Sequence, residues 1–163
     1  MSEFTELLLQ NKSRKKPKPG DVFTLQVKDN LFYYGKVIKT NINSSNVLLR
    51  GWNLIFLYKY STTCIENERL DLLSHQELLL PPVITNNKGW YDGYFLTIGN
   101  VPVSGEELSL DYGFWDDIRK NYRNEEGTVL NNEPAYAASY SLVSYGGIGR
   151  GIHRLLNNEP HYL

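Results

Sequence analysis

Apolar and polar positions first alternate cleanly at Asp21. In "DVFTLQVK", Phe23, Leu25 and Val27 alternate with Thr24, Gln26 and Lys28, the period of two that marks a half-buried strand. Asp29 and Asn30 supply a tight turn into "LFYYGKVIK", a run that is apolar on both parities and interrupted by Gly35. A glycine inside such a strand marks a bulge or a close approach of another part of the chain. Two further apolar runs, "VLLR" and "LIFLYKY", flank Gly51. Four strands with short joins predict an antiparallel meander or a partly closed barrel.

Outside this region the pattern changes. At the N-terminus Ser2 can cap a short helix with Phe4, Leu7 and Leu8 on one face, stopped by Pro17, Pro19 and Gly20. In "SHQELLLPP", Ser74 and Glu77 have capping-box spacing, and Pro81 halts the predicted helix after little more than a turn. "GWYDGYFLTIGNVPV" carries Asp92 and Gly93 at hairpin spacing, with Tyr94, Leu96 and Ile98 on one face of the strand that follows. "FWDDIRKNYRNEEG" fits either a helical turn or an irregular crossing, while "TVL" and "SYSLVSY" read as short strands. At the C-terminus Ile148, Ile152, Leu155 and Leu156 form one apolar stripe of a helix, opposite Arg150, His153, Arg154 and Asn157. The fold class expected is α+β, mostly β. Residues 1–20 read as an N-terminal helix and basic linker, and 21–163 as a single globular domain.

Composition supports an ordered chain of one-domain size: 163 residues, 41% hydrophobic and 13% aromatic. The single cysteine, Cys64, excludes an intramolecular disulfide framework and a Cys-rich zinc site, and suits a reducing compartment. No apolar run approaches the ~20 residues that span a membrane, and the acids of "MSEFTELLLQNKSRKK" precede its apolar run, the inverse of a secretory signal. A soluble, cytoplasmic protein is expected. The net charge of -1 conceals an asymmetry. Lys12, Arg14, Lys15, Lys16 and Lys18 crowd one arm, whereas Asp92, Glu106, Glu107, Asp111, Asp116 and Asp117 fall between Lys88 and Arg119 with no basic residue among them.

Candidate chemistry thins out on inspection. In "SYGGIGRGIHRLL", Gly147, Gly149 and Gly151 give Gly-x-Gly-x-Gly, which is neither the dinucleotide fingerprint nor a P-loop. The run reads instead as an entry to a helix packed closely on a sheet. His75, His153 and His161 are far apart, with His153 on the polar, solvated face of the last helix, and Cys64 lacks a nucleophile signature. The pairs Glu106/Glu107, Asp116/Asp117 and Glu125/Glu126 lie in polar segments and read as solvated loops, and no metal-ligand spacing occurs. No catalytic, cofactor or metal site is expected. The arm of Lys12, Arg14, Lys15, Lys16 and Lys18, with Phe32, Tyr33 and Tyr34 as stacking platforms, supports an alternative: a small β-barrel that binds nucleic acid. The acidic body argues against it, and the arm then reads as a solvated linker.

The segments "KPKPGDVFTLQVKDNLFYYGKVI", "GWYDGYFLTIGNVPV" and "SYSLVSYGGIGRGIHRLL" carry a Pro-Gly-Asp entry at Pro19 to Asp21, an aromatic-Tyr-Gly-basic-Val stretch at Tyr33 to Val37, Gly89-Trp90, and Ile98 to Asn100. In this order they resemble the immunity protein 26 family of bacterial polymorphic toxin systems, from about Lys16 to Leu156. The resemblance implies a non-enzymatic cytoplasmic protein that binds and neutralises a cognate toxin. An acidic, aromatic stretch suits a basic partner such as a nuclease. The interface candidates are therefore Tyr91, Asp92, Glu106, Glu107, Asp111, Trp115, Asp116 and Asp117. Beside this stands a plainer reading, in which Trp115 is core and the acids are a solvated face.

Overall fold

In the computed structural model, which describes residues 6–163, five strands form the larger sheet. They are β1 (Asp21–Lys28), β2 (Leu31–Lys39), β3 (Asn53–Thr62), β4 (Leu78–Thr85) and β5 (Phe95–Asn100), in the order β4-β3-β2-β1-β5 with every pairing antiparallel. The smaller sheet comprises β6 (Tyr112–Asp116), β7 (Asn121–Arg123) and β8 (Tyr136–Ser139); β6 lies between the others, antiparallel to β7 and parallel to β8. Three helices complete the framework: α1 (Lys88–Tyr91), α2 (Gly105–Leu108) and α3 (Tyr145–Leu156). An antiparallel meander runs over β1 to β4, with β4 as its fourth strand in place of the expected "VLLR", and among the described residues the sheet does not close into a barrel; β4 and β5 remain its two edges.

The double parity of β2 has a direct cause: both faces of the large sheet are covered. On one face Phe23, Leu25, Tyr33, Val37, Ile55 and Leu57 pack with Leu7, Trp90, Phe95, Ile148 and Ile152. On the other, Val22, Tyr34, Ile38, Leu54, Phe56 and Tyr58 pack with Leu73, Phe114 and Ala138. Gly35 lies opposite Phe23 in the β1–β2 register, and a Cβ there would stand 2.5 Å from the Phe23 ring. The Phe23 ring in turn stacks on Phe95 at 5.0 Å and meets Trp90 edge-on at 5.1 Å. The glycine makes room for the aromatic centre of the first core.

Several expectations from local pattern are overturned. "VLLR" is a turn: the Asn46 side chain accepts from the Leu48 amide and its carbonyl from Leu49, so Val47 and Leu48 are exposed and only Leu49 is buried. The segment from Leu78 is strand β4; a 3₁₀ turn, Leu70–His75, precedes it, and Ser74 bonds the Asp71 carbonyl in place of a cap. Pro81 and Pro82 are tolerated because β4 is an edge strand and its register shifts between Ile55 and Leu57, opposite them. Asp92 and Gly93 close α1 instead of forming a hairpin, with Gly93 at φ 91. The ambiguous "FWDDIRKNYR" is the β6–β7 hairpin. A register shift at Ile98 splits the expected Tyr94, Leu96 and Ile98 face, so that Tyr94 packs on the first core and Ile98 on the second.

Leu7 and Leu163, far apart in sequence, both pack on α3. Ser144 caps the helix by accepting from the Gly147 amide at 3.0 Å, and Ile148 and Ile152 are fully buried. A Cβ on Gly149 would stand 3.0 Å from the Leu7 side chain and 3.2 Å from its backbone nitrogen. Gly149 therefore lets Leu7 come close to the helix, while Ile148 and Ile152 pack the same helix onto the large sheet. His153 departs from the solvated position expected of it, since its Nε2 is shielded from solvent. Ser2 and Phe4 of the expected N-terminal helix lie outside the described residues; Leu7 is buried and Leu8 bridges Gln26 in the manner of a strand.

Candidate functional site

Each of the three adjacent acid pairs is divided by the fold, one carboxylate inward and its neighbour outward. Glu107 sits in the short α2 capping box: the Ser104 hydroxyl accepts from the Glu107 amide at 3.1 Å, and Glu107 Oε1 accepts from the Ser104 amide at 2.9 Å. The same carboxylate receives Lys36 Nζ at 2.7 Å and the Tyr58 hydroxyl at 2.5 Å, while Lys36 also donates to the Pro102 carbonyl at 3.2 Å. Burial pushes the Glu107 carboxyl up, but the hydrogen bonds from Lys36, the Ser104 amide and Tyr58, with the Lys36 charge, outweigh it and hold the group below its ordinary value. Burial, reinforced by the Glu107 bond and charge, pushes the Tyr58 phenol up.

A similar unit recurs three residues along β2. Lys39 Nζ meets Glu125 Oε1 at 2.5 Å, and the Tyr112 hydroxyl donates to the same carboxylate at 2.9 Å. Burial first, then the Glu125 charge, raises the Tyr112 phenol. Asp116, buried at the end of β6, accepts from the Ile118 and Arg119 amides at 3.0 and 3.1 Å, and pairs with Arg119 at 3.2 Å and Arg123 at 3.3 Å. The Arg119 amide leads the bonds that lower its carboxyl. A carboxylate held ionised is a weak base, and a phenol held neutral a weak acid. These clusters fasten the small-sheet layer to β2 and the hairpin to itself, with Glu107 and Asp116 buried within them.

The remaining candidates fall on opposite sides of the large sheet. Tyr91 and Asp92 end α1 on the α3 side, where Asp92 accepts from the Tyr145 hydroxyl at 3.2 Å beside the stacked Tyr94 and Tyr145 rings. Glu106, Asp111, Trp115 and Asp117 belong to the small-sheet side. Glu106 is exposed, 3.7 Å from His75; Asp111 is exposed and caps the Ala135 amide. Trp115 is half-buried against Tyr122 at 4.9 Å, with its indole nitrogen donating to Asp117 at 3.4 Å. Asp117 is answered by Lys120 at 2.9 Å. Two members of this surface were missed in the sequence: Tyr122, paired with Trp115 across the hairpin, and Glu133, which accepts from the Tyr122 hydroxyl at 3.2 Å. A hairpin register closed at Asp116 and Asn121 would have revealed Tyr122.

The basic arm is not a free linker. Leu8 donates to the Gln26 carbonyl, Gln10 and Asn11 to that of Gly93, and Ser13 to that of Trp90. Lys12, Arg14, Lys15, Lys16 and Lys18 are all exposed. Of the stacking platforms expected for nucleic acid, Tyr33 is buried in one core and Tyr34 in the other, which leaves only the half-buried Phe32. Among the described residues there is no group of three or more His, Cys, Asp or Glu able to hold a metal, and no helix long and apolar enough to cross a membrane.

The family model described as Immunity protein 26 matches residues 18–124, from the entry to β1 through β7. The glycine run and α3 lie beyond the matched span. No curated protein and no solved structure matches the chain.

Proposed function

Because the chain belongs to the immunity protein 26 family, we propose that it neutralises a cognate bacterial toxin by forming a stoichiometric complex that blocks the toxin's active site or holds it inactive. The observation that carries this is the family match across residues 18–124. The commitment of Glu107, Asp116 and Glu125 to internal bonds supports binding over catalysis. The setting is a polymorphic toxin system, with the protein acting in the cytoplasm of the producing cell.

The proposed contact surface is the small-sheet side, where Trp115 and Tyr122 offer aromatic anchors and Glu106, Asp111, Asp117 and Glu133 offer carboxylates at the surface. Such a face suits a basic partner, for example a nuclease whose site must hold phosphates; complementary charge speeds encounter and aromatic anchors supply the binding energy. Tyr91 and Asp92, on the opposite side of the sheet, fall outside it.

Co-expression with the toxin encoded beside it is the test. The intact protein protects the cell and is recovered in a salt-sensitive complex, while Trp115→Ala weakens that complex by about 2 kcal/mol or more. A toxin that kills cells making the intact protein, with no complex recovered, rejects the function. A Trp115→Ala complex of unchanged affinity rejects this surface.

A further inference from the structure

The two edges of the large sheet are protected differently. On β4 the edge is broken by Pro81 and Pro82 and a register shift. On β5 there is no proline, and among the described residues no strand pairs with its outer side. Beside that edge runs the basic arm, tied near one end by the bonds of Asn11 and Ser13 to Gly93 and Trp90. At the other end the tie is Val101 to Gly20 and Asn100 Nδ2 to the Pro19 carbonyl. Between arm and edge lies a groove of about 710 Å³, bordered by Lys12, Lys15, Lys16 and Lys18 on one side and Leu96 and Thr97 on the other. None of these lysines makes an ion pair among the described residues. The one acid in the groove, Asp21, is occupied by the Lys18 amide and the Asn100 side chain, both at 2.9 Å.

We infer that this groove docks an extended, acidic polypeptide segment as an added strand on β5, with the arm lysines matching its carboxylates. An unpaired edge supplies backbone donors and acceptors in register, and alternate side chains of an added strand face the flanking groups. Anchoring the arm at both ends holds the lysines in place before binding, which lowers the ordering cost. Single-stranded nucleic acid fits less well, because it needs an exposed ring on which to stack. The ring in this groove is Phe95, fully buried between Phe23 and Trp90. Edge-to-edge pairing with a second copy sets one lysine arm against another. The inference stands on charge and edge geometry and does not depend on the toxin reading.

The experiment is fluorescence anisotropy of the full chain with a labelled peptide of alternating Glu and Val. A Lys and Val peptide and a short oligothymidine serve as comparison probes, and amide hydrogen exchange is followed on β5. The acidic peptide binds, protects amides within Phe95 to Ile98, and loses about tenfold in affinity, roughly 1.4 kcal/mol, in Lys15→Glu/Lys16→Glu. Both substituted lysines are exposed, so the variant keeps its fold. The inference is overturned by no binding, which would leave the lysines as guards of the edge. Equal binding of the Lys peptide, tighter binding of oligothymidine, binding without β5 protection, or self-association through β5 overturns it equally.

Discussion

Lys36 lies in the middle of the central strand with only 2% of its surface exposed, and Glu107 is what makes that position tenable. Removing one partner of a buried pair leaves the other charge stranded, so Glu107→Gln should lower stability by about 3–5 kcal/mol, whereas Lys36→Met/Glu107→Leu should recover most of the loss. Urea unfolding at neutral pH measures both. Because the folded carboxyl lies below its ordinary value of 4.5, its contribution is complete above that value and disappears as pH falls through the lower folded value. Unfolding midpoints followed into acid should therefore fall more steeply for the intact protein than for Glu107→Gln. Charge runs were plain in the sequence at this scale, but the buried member of each pair was not. The deciding partner, Lys36, is 71 positions away from Glu107.

At the scale of elements, β1, β2 and β3 were legible because alternation and apolar runs are local properties, and so was α3, whose stripe repeats with the helical period. β4 was hidden by its two prolines, which forbid a central strand but not a bulged edge, and only sheet order reveals which it is. The single glycine of β2 offers a direct test of how its core is packed. Gly35→Ala sets a methyl 2.5 Å from the Phe23 ring and should lower stability by about 1–3 kcal/mol. Gly105→Ala, with nothing within 4 Å, should leave stability unchanged or raise it by up to about 1 kcal/mol. Thermal unfolding of the two variants side by side checks the contrast. Equal behaviour would mean that Phe23 yields freely.

Across the whole molecule, one sheet holds two layers apart. α1, α3 and the N-terminal segment cover one face, and the small sheet covers the other, with α2 tied to β2 by the Lys36–Glu107 pair and the loop after β7 by Lys39–Glu125. Backbone amides should exchange slowest in β1, β2 and β3, whose cores lie on both sides, and fastest in β7, which has three residues and none buried. Exchange monitored by NMR tests this, and a β7 as protected as β2 would contradict it. The sequence by itself determined β1, β2 and β3, the terminal helix and the family, because these depend on period and on the order of short marks along the chain. Only the tertiary structure decided that the sheet stays open, that Glu107 and Asp116 are buried in ion pairs, and that Trp115 lies against Tyr122. It also decided that the basic arm frames an edge strand. Burial, pairing and edge position are relations between distant residues, and local pattern does not encode them.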